Sequence, residues 1–254
     1  MFNVDLFQSN LKTKILGRKT FYYASTISTN DDIWEIFKKE KKEGIVVIAN
    51  EQIKGKGRGN KNWFSKKNKS IICSFLIKEK FLQKKLNLHS ILIPVGIILG
   101  IKKTINKIFS IKWPNDIVLK NKKICGILIE TKKYNNITYL NIGLGINVNE
   151  SDTDFPTEIK TKAISIKTIF NNEVQRELLL ANILNSIDKL LITKDEKNII
   201  DSWIKYCEHI NKTIKIQYKE TIIKAKFKTI NYKGQAIFNY NNKDIVLNGT
   251  ILNI

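Results

Sequence analysis

Apolar and polar positions alternate along the chain in two rhythms, helical and extended. The polar run Ser28-Thr29-Asn30-Asp31-Asp32 precedes Ile33, Trp34, Ile36 and Phe37. Cap-type residues, acids in the first turn and a three-to-four apolar spacing predict a helix starting there. It is expected to run to about Lys42 and to stop at Gly44, a natural left-handed terminator. Ile45-Val46-Val47-Ile48-Ala49 reads as a buried strand. Residues 71–77 give a second strand and 86–109 a long apolar helix. A hairpin follows over 117–119 and 124–131 around a Lys-Asn-Lys-Lys turn, then a strand over 138–146. Segments 173–192 and 197–208 repeat apolar residues at helical spacing. Residues 1–27 look irregular or weakly stranded.

Beyond Asn211 the texture changes to short alternating runs at 213–218, 221–230, 235–240, 244–247 and 250–254, with turns at Tyr232-Lys233-Gly234 and Asn241-Asn242. This predicts a small all-β module. A chain of 254 residues accommodates one large and one small domain, and the boundary is placed near 210, giving 1–210 and 211–254. Within the first part, residues 54–69 form a long Lys-, Asn- and Gly-rich loop containing Trp63 and Phe64. Loops of that length in compact domains are commonly functional or disordered.

Composition narrows the function classes. The net charge is +21, yet only three of the 44 cations are arginine: Arg18, Arg58 and Arg176. Base-reading proteins lean on arginine for bidentate contacts, so the charge is read as solvated lysine faces and no specific DNA partner is expected. Three widely spaced cysteines and two histidines argue against a disulfide framework or a His-rich metal site. No signal-peptide pattern opens the chain, and the most apolar stretch, near 91–101, is too short to span a bilayer. A cytoplasmic protein without membrane contact is expected.

Four motifs carry candidate chemistry. Gly55-Lys56-Gly57-Arg58-Gly59 follows a buried strand; its glycines let the backbone approach a ligand, and its cations suit phosphate or carboxylate. It has neither the P-loop nor the dinucleotide-fold spacing, and a flexible solvated loop is the alternative. Trp63 beside it either stacks on a base or anchors the core. In Lys112-Trp113-Pro114-Asn115-Asp116, proline holds Trp113 extended and sets Asn115 and Asp116 on a corner. An Asp there suits metal or proton chemistry, or an ordinary Asx turn. Lys123 leads into Cys125-Gly126-Ile127-Leu128-Ile129-Glu130, and Asn141-Ile142-Gly143-Leu144-Gly145-Ile146-Asn147 alternates glycine inside an apolar strand. Such glycines make sense where a ligand or another backbone lies against one face.

Taken in order, Ser-Thr-Asn, Glu51-Gln52, the Gly-Lys-Gly-Arg loop with Trp63, KWPND, K-x-x-GILIE and NIGLGINVN resemble the biotin–protein ligases over roughly residues 20–150. The resemblance implies an ATP-dependent ligase that makes biotinyl-5′-AMP and transfers biotin to one lysine of a biotin carboxyl carrier domain. Biotin, ATP and Mg²⁺ are the implied small molecules. Ser28, Thr29 and Gln52, with Asn30 beside them, match the positions around the ureido ring. Gly126 and Leu128 match the strand lining the biotin pocket. Gly55, Lys56, Gly57 and Arg58 match the basic loop, and Trp63 an indole near the adenine. Lys123 matches the lysine bridging biotin's carboxyl and the α-phosphate. Asn115 and Asp116 match a pair near the adenylate, where Asp116 orients or deprotonates the incoming lysine; Lys123, Arg58 and Asp116 are thus the expected catalytic residues. Gly143, Gly145 and Asn147 match a strand beside the ligand, with Asn147 near the phosphates or metal. No metal ligand is assigned.

The loop departs from the family's usual GRGRxGR: it reads GKGRGNK, with Lys56 for the first arginine and Lys61 standing in for the last. Lysine keeps the charge and loses the planar fork, so a looser grip on the adenylate is expected. The chain starts about 27 residues before Ser28, without space for a helix-turn-helix domain, so a monofunctional ligase is expected, as monomer or homodimer. The implied fold is α+β. A mixed, class II synthetase-like sheet carries the ligand on one face and helices on the other, and a small C-terminal SH3-like β-barrel follows. The strand at 138–146 is read as a sheet edge open to a second subunit or the carrier. A lipoate or octanoate ligase or transferase on the same scaffold and a basic nucleic-acid-binding module are the competing readings.

Overall fold

The computed structural model describes residues 1–79, 88–107, 109–193 and 195–248. Eleven strands lie in these residues: β1 (Lys19–Tyr23), β2 (Ile45–Ala49), β3 (Ile71–Lys78), β4 (Ser110–Lys112), β5 (Asp116–Leu119), β6 (Lys122–Tyr134), β7 (Ile137–Ile146), β8 (Thr213–Tyr218), β9 (Thr221–Ile230), β10 (Ala236–Tyr240) and β11 (Lys243–Leu247). The helices are α1 (Val4–Ser9), α2 (Thr29–Glu40), α3 (His89–Thr104), the short α4 (Thr157–Lys160) and α5 (Ile166–Phe170), α6 (Arg176–Thr193) and α7 (Glu196–Tyr206). The start of the helix expected from residue 86 and the strand expected at 250–254 lie outside the described residues.

The first seven strands form one mixed sheet in the order β1-β2-β3-β7-β6-β5-β4. Only β1 and β2 run parallel; all other neighbours are antiparallel. The two-residue hairpin turns at Lys120-Asn121 and Asn135-Asn136 have both residues left-handed, the geometry that matches the twist of the flanking strands. The expectation that 138–146 is an edge does not hold. This strand sits in the middle of the sheet, between β3 and β6, because it is buried on both faces from Tyr139 to Ile146 and needs a neighbour on each side.

Alternation sorts each strand between two layers. Val46, Ile48, Phe75, Leu140 and Ile142 join the large core with α3 and α6, whereas Ile45, Val47, Leu76 and Tyr139 join a smaller cluster with Ile33, Trp34 and Phe37 of α2. Helices therefore cover both faces rather than one. The face carrying α2 is only partly covered, because β3, β6 and β7 present Ser74, Gly126, Gly143 and Gly145 on that side beyond the reach of α2. On the other face α6 packs closely on α3: a Cβ on Gly100 would lie 2.3 Å from the Ile183 backbone.

The helix α2 ends earlier than its pattern suggests. Lys41, not Gly44, takes the left-handed terminal position (φ 50°), and its N–H donates to the Phe37 carbonyl at 2.9 Å. Gly44 is also left-handed, in the turn into β2, where a side chain would strike the Ile15 carbonyl. The N-terminal segment is ordered by α6: Asp188 accepts the backbone N–H groups of Lys14, Ile15 and Leu16 at 2.7–2.9 Å, and Glu177 accepts that of Asn3 at 2.8 Å.

Strands β8 to β11 make a separate antiparallel meander. It is joined to the large sheet through Trp113, whose ring meets Phe227 and Phe238 edge-on at 5.9 and 5.8 Å; the Trp113–Pro114 peptide is cis. His209 lies against Phe227 at 6.0 Å, and burial, with Lys112 and Lys212 adding to it, lowers its pKa to about 4. Below its ordinary value near 6.5 the unfolded chain takes up a proton that the folded chain refuses, so stability falls as pH drops from 6.5 to 4. At about 1.4 kcal/mol per pH unit, the loss amounts to roughly 1–3 kcal/mol. His209→Gln should remove that part of the slope in urea midpoints compared at pH 7.5 and 4.5; equal slopes in the two proteins would refute it.

Candidate functional site

A cleft opens on the α2 face of the sheet, where the strands β6 and β7 carry glycines in place of side chains. Gly126 and Gly145 are paired across these strands, and the Trp63 indole lies flat on the window they make. A Cβ on Gly145 would sit 2.2 Å from Trp63 Cε2, and one on Gly126 would sit 2.7 Å from Cζ3. Gly143 makes the same allowance for Asn30, whose Oδ1 would be 2.2 Å from an added Cβ. Ile72, Ile127, Leu128 and Leu144 supply the apolar lining.

One end of the cleft is polar and uncharged. Ser28 takes the N-cap position of α2, but its hydroxyl makes no cap bond. It is 1% exposed and has no hydrogen-bond partner among the described residues, an arrangement that is costly unless a ligand completes it. Gln52 Oε1 accepts from the Thr29 N–H at 2.9 Å and from its hydroxyl at 3.2 Å. The Thr29 hydroxyl lies 2.7 Å from that of Ser74, which donates to Asn30 Oδ1 at 2.7 Å, so the single Thr29 proton is shared between Gln52 and Ser74. Behind them Glu130 accepts from Asn30 Nδ2, Trp34 Nε1 and Asn141 Nδ2 at 3.1–3.3 Å.

The other end is cationic. Lys123 Nζ is 2.8 Å from Asp116 and 5.3 Å from the centre of the Trp63 ring. Arg58 Nη1 donates to Asn115 Oδ1 at 3.0 Å, and Asn115 Nδ2 in turn donates to the Ile127 carbonyl at 2.9 Å. Burial pulls the Arg58 pKa down from its ordinary value, and Asp116 opposes this. Lys56, at the mouth, is ion-paired with Asp31. The loop that brings these groups is internally braced: Trp63 N–H donates to the Gly55 carbonyl at 2.8 Å and Gly57 N–H to the Lys61 carbonyl at 2.7 Å.

The residues singled out from the sequence converge on this cleft with three exceptions. Gly55 lies behind Trp63 and Gln52, where it permits their close approach. Asp116 reaches the cleft only through Lys123. Asn147 does not line it: its side chain ties the Lys123 carbonyl (3.2 Å) to the Ile164 carbonyl (3.3 Å). Sequence reasoning passed over the inner wall of Ser74, Glu130 and Asn141. A signal was present, since Ser74 is the one hydroxyl within β3 and Asn141 an amide inside a strand that is otherwise apolar or glycine around it. Among the described residues no group of three or more His, Cys, Asp or Glu is placed to hold a metal ion. All three cysteines are buried and unpaired, and no described helix is long and apolar enough to cross a membrane.

Residues 22–147, which contain every one of the cleft motifs, match the model of the biotin/lipoate A/B protein ligase family. Over 180 residues the chain is 31% identical to the bifunctional ligase/repressor BirA of Bacillus subtilis, covering 70% of this chain and 55% of that protein. Over 229 residues it is 27% identical to the human biotin–protein ligase, covering 82% of this chain and 30% of that one. The chain thus spans about half or less of the length of these relatives. The structure of biotin protein ligase from Aquifex aeolicus in complex with biotin and ATP shares the fold, with a TM-score of 0.77 over 92% of this chain and 98% of that one at 24% identity.

Proposed function

Given that the chain belongs to the biotin/lipoate A/B protein ligase family, we propose that it is a biotin–[biotin carboxyl-carrier protein] ligase. It joins biotin to ATP as biotinyl-5′-AMP and then passes biotin to a lysine of a biotin carboxyl carrier domain. The observation that carries this is the polarity of the cleft: buried neutral hydrogen-bonding groups at one end, the Trp63-covered glycine window and aliphatic side chains in the middle, Lys123 and Arg58 at the other. A molecule with a cyclic urea head, an apolar middle and a carboxylate tail matches that order. Lipoate has no polar head for Ser28, Thr29 and Gln52 to engage, so the lipoate alternative is disfavoured by the same wall.

In the first step biotin's carboxylate oxygen attacks the α-phosphorus of ATP and pyrophosphate leaves. Negative charge accumulates where Lys123 and Arg58 meet, and fixed cations there lower the barrier without reorganising at the moment of reaction. Asp116 and Asn115 hold those two cations in place. Mg²⁺ is held largely by substrate phosphates in sites with one or two carboxylates. No carboxylate is among the described residues lining this cleft, so Mg²⁺ here would be carried on the ATP phosphates. In the second step the acceptor amine attacks the acyl carbon, the carbon–oxygen bond to AMP breaks, and the amine loses a proton. Trp63 over the glycine window shields the reactive anhydride from water. Gly55 and Asn147 serve as supports of the loop and of Lys123. Residues 211–254 are read as a separate C-terminal domain of SH3-like type, a reading supported by the consecutive meander of β8 to β11.

The direct test is ATP–pyrophosphate exchange on purified protein with biotin, lipoate and octanoate in parallel. Exchange is expected with biotin alone; exchange with lipoate alone, or with none of the acids, would overturn the assignment. Arg58→Gly is expected to release the adenylate early and to label bystander lysines, detected with streptavidin on an unrelated added protein. Labelling confined to the carrier would remove Arg58 from that role.

A further inference from the structure

The loop bearing Lys56, Arg58 and Trp63 leaves β2 at Asn50 and returns to β3 at Ser70, and both ends converge on one buried side chain far away in sequence. Arg176, at the start of α6, donates through Nη1 to Asn50 Oδ1 at 3.3 Å and to the Ser70 carbonyl at 3.0 Å. Asn50 Nδ2 donates to Asn68 Oδ1 at 2.5 Å, so the outgoing and returning strands of the loop are also tied to each other. Ser70 Oγ accepts from the Lys66 N–H at 2.9 Å and donates to Glu150, which is fully buried. Glu150 stands three residues beyond Asn147, the residue that grips the Lys123 carbonyl. The cluster at the base of the loop is thus linked along the chain, over three residues, to the contact that holds Lys123.

Arg176 is a poor choice for stability alone. It is 6% exposed, its guanidinium sits at the positive end of a helix, and burial pulls its pKa down against the opposing effect of Glu177, Tyr22 and Glu150. Buried ionic groups of this kind add little net stability over an apolar replacement. What Arg176 supplies is geometry: one amino group, Nη1 on a rigid guanidinium plane, donating to two chain segments 20 positions apart. Closing a loop of that length is entropically unfavourable, and fixing its two ends leaves only residues 51–69 to be ordered over the cleft.

We propose that Arg176 is a positioning residue for the cleft, setting the loop between Asn50 and Ser70 over the ligand, with Glu150 completing the clasp through Ser70. The inference rests on the ligase reading for its kinetic consequences but not for its structural ones. Loss of a charged donor with two acceptors makes Arg176→Met expected to raise KM for ATP about tenfold or more and to shorten the lifetime of bound adenylate by a similar factor, with a smaller change in kcat. Trypsin cleavage at the loop lysines of the ligand-free full chain should quicken by about the same factor, with cleavage elsewhere unchanged. Arg176→Lys, which keeps a charged donor nitrogen but loses the reach and the fixed plane of the guanidinium, should recover part of each effect. A melting temperature that falls while loop cleavage, KM and adenylate lifetime stay at wild-type values would overturn the proposal and leave Arg176 a structural residue. If Arg176→Met does not fold, Asn50→Ala removes one acceptor of the clasp and must shift loop cleavage in the same direction. If wild-type protein shows no biotin-dependent exchange, the ligase reading fails, and loop cleavage alone decides the clasp.

Discussion

Lys123→Ala is expected to lower biotin-dependent ATP–pyrophosphate exchange by about 10³-fold while leaving the fold intact. Two losses combine. The cleft loses the cation that faces the developing charge, and Asp116, only 8% exposed, is left as an uncompensated anion beside it. That carboxylate then repels both the incoming biotin carboxylate and the phosphates. Lys123→Ala combined with Asp116→Asn should accordingly recover part of the lost exchange, although each change removes a group from the site. The pair itself contributes little to folding: the Lys123 side chain is 35% exposed, and screened pairs of that kind are worth less than about 1 kcal/mol. The stranded Asp116 carboxylate should nevertheless lower the melting temperature of Lys123→Ala, and Asp116→Asn should restore it in the double variant. Exchange retained within about tenfold of wild type would remove Lys123 from its role.

Gly145→Ala is the second large effect. The added methyl carbon would be 2.2 Å from Trp63 Cε2 and 2.3 Å from Nε1, with no room to yield toward Gly126, where the indole is already in contact. The ring must leave the window. Because Trp63 N–H is bonded to the Gly55 carbonyl and Gly57 to Lys61, the displacement carries the cationic segment with it. A misplacement of about 1 Å in positioning groups costs on the order of a hundredfold in rate, and an effect of that size is expected in kcat/KM for biotin. Stability should hardly fall, since Gly145 has no left-handed backbone requirement and alanine costs less chain entropy. The contact is isolated by a double-mutant cycle: in a Trp63→Ala background, Gly145→Ala should have little further effect. Additive losses would show that the steric link between the two residues is not the cause.

Local chemistry made much of this molecule legible. β8 and β9 fall at 213–218 and 221–230 because their alternation is strict and each pair of strands is bounded by residues that tolerate left-handed turns, such as Asn241-Asn242. The glycines of β7 pointed to a bare face, and the face is there. What could not be read depends on distant partners. α1 and β1 have weak patterns of their own; Glu177 and Asp188 of α6 hold the segment that contains them. β4 is three residues long and exists as the partner of β5. The central place of β7 and the position of α2 opposite α3 follow from strand order, which no local window contains. In the cleft, Lys123, Arg58 and Trp63 were legible through motifs. Glu130 was not, because a lone carboxylate declares itself only when Asn30, Trp34 and Asn141 are seen against it.

Trp113 has a consequence for the order in which the protein is made. Its ring is packed by Phe227 and Phe238, more than a hundred positions downstream. A chain emerging from the ribosome has already delivered the cationic loop, Lys123 and the glycine strands when these phenylalanines are still unsynthesised. Until then the corner bearing Asn115 and Asp116 is backed by an exposed indole instead of a packed one. Non-local contacts of this span form late, and partly finished chains with bare aromatic surface are prone to associate. The corner bearing Asn115 and Asp116 thus gains its packed backing only once residue 238 has been made and β9 and β10 have closed on the ring.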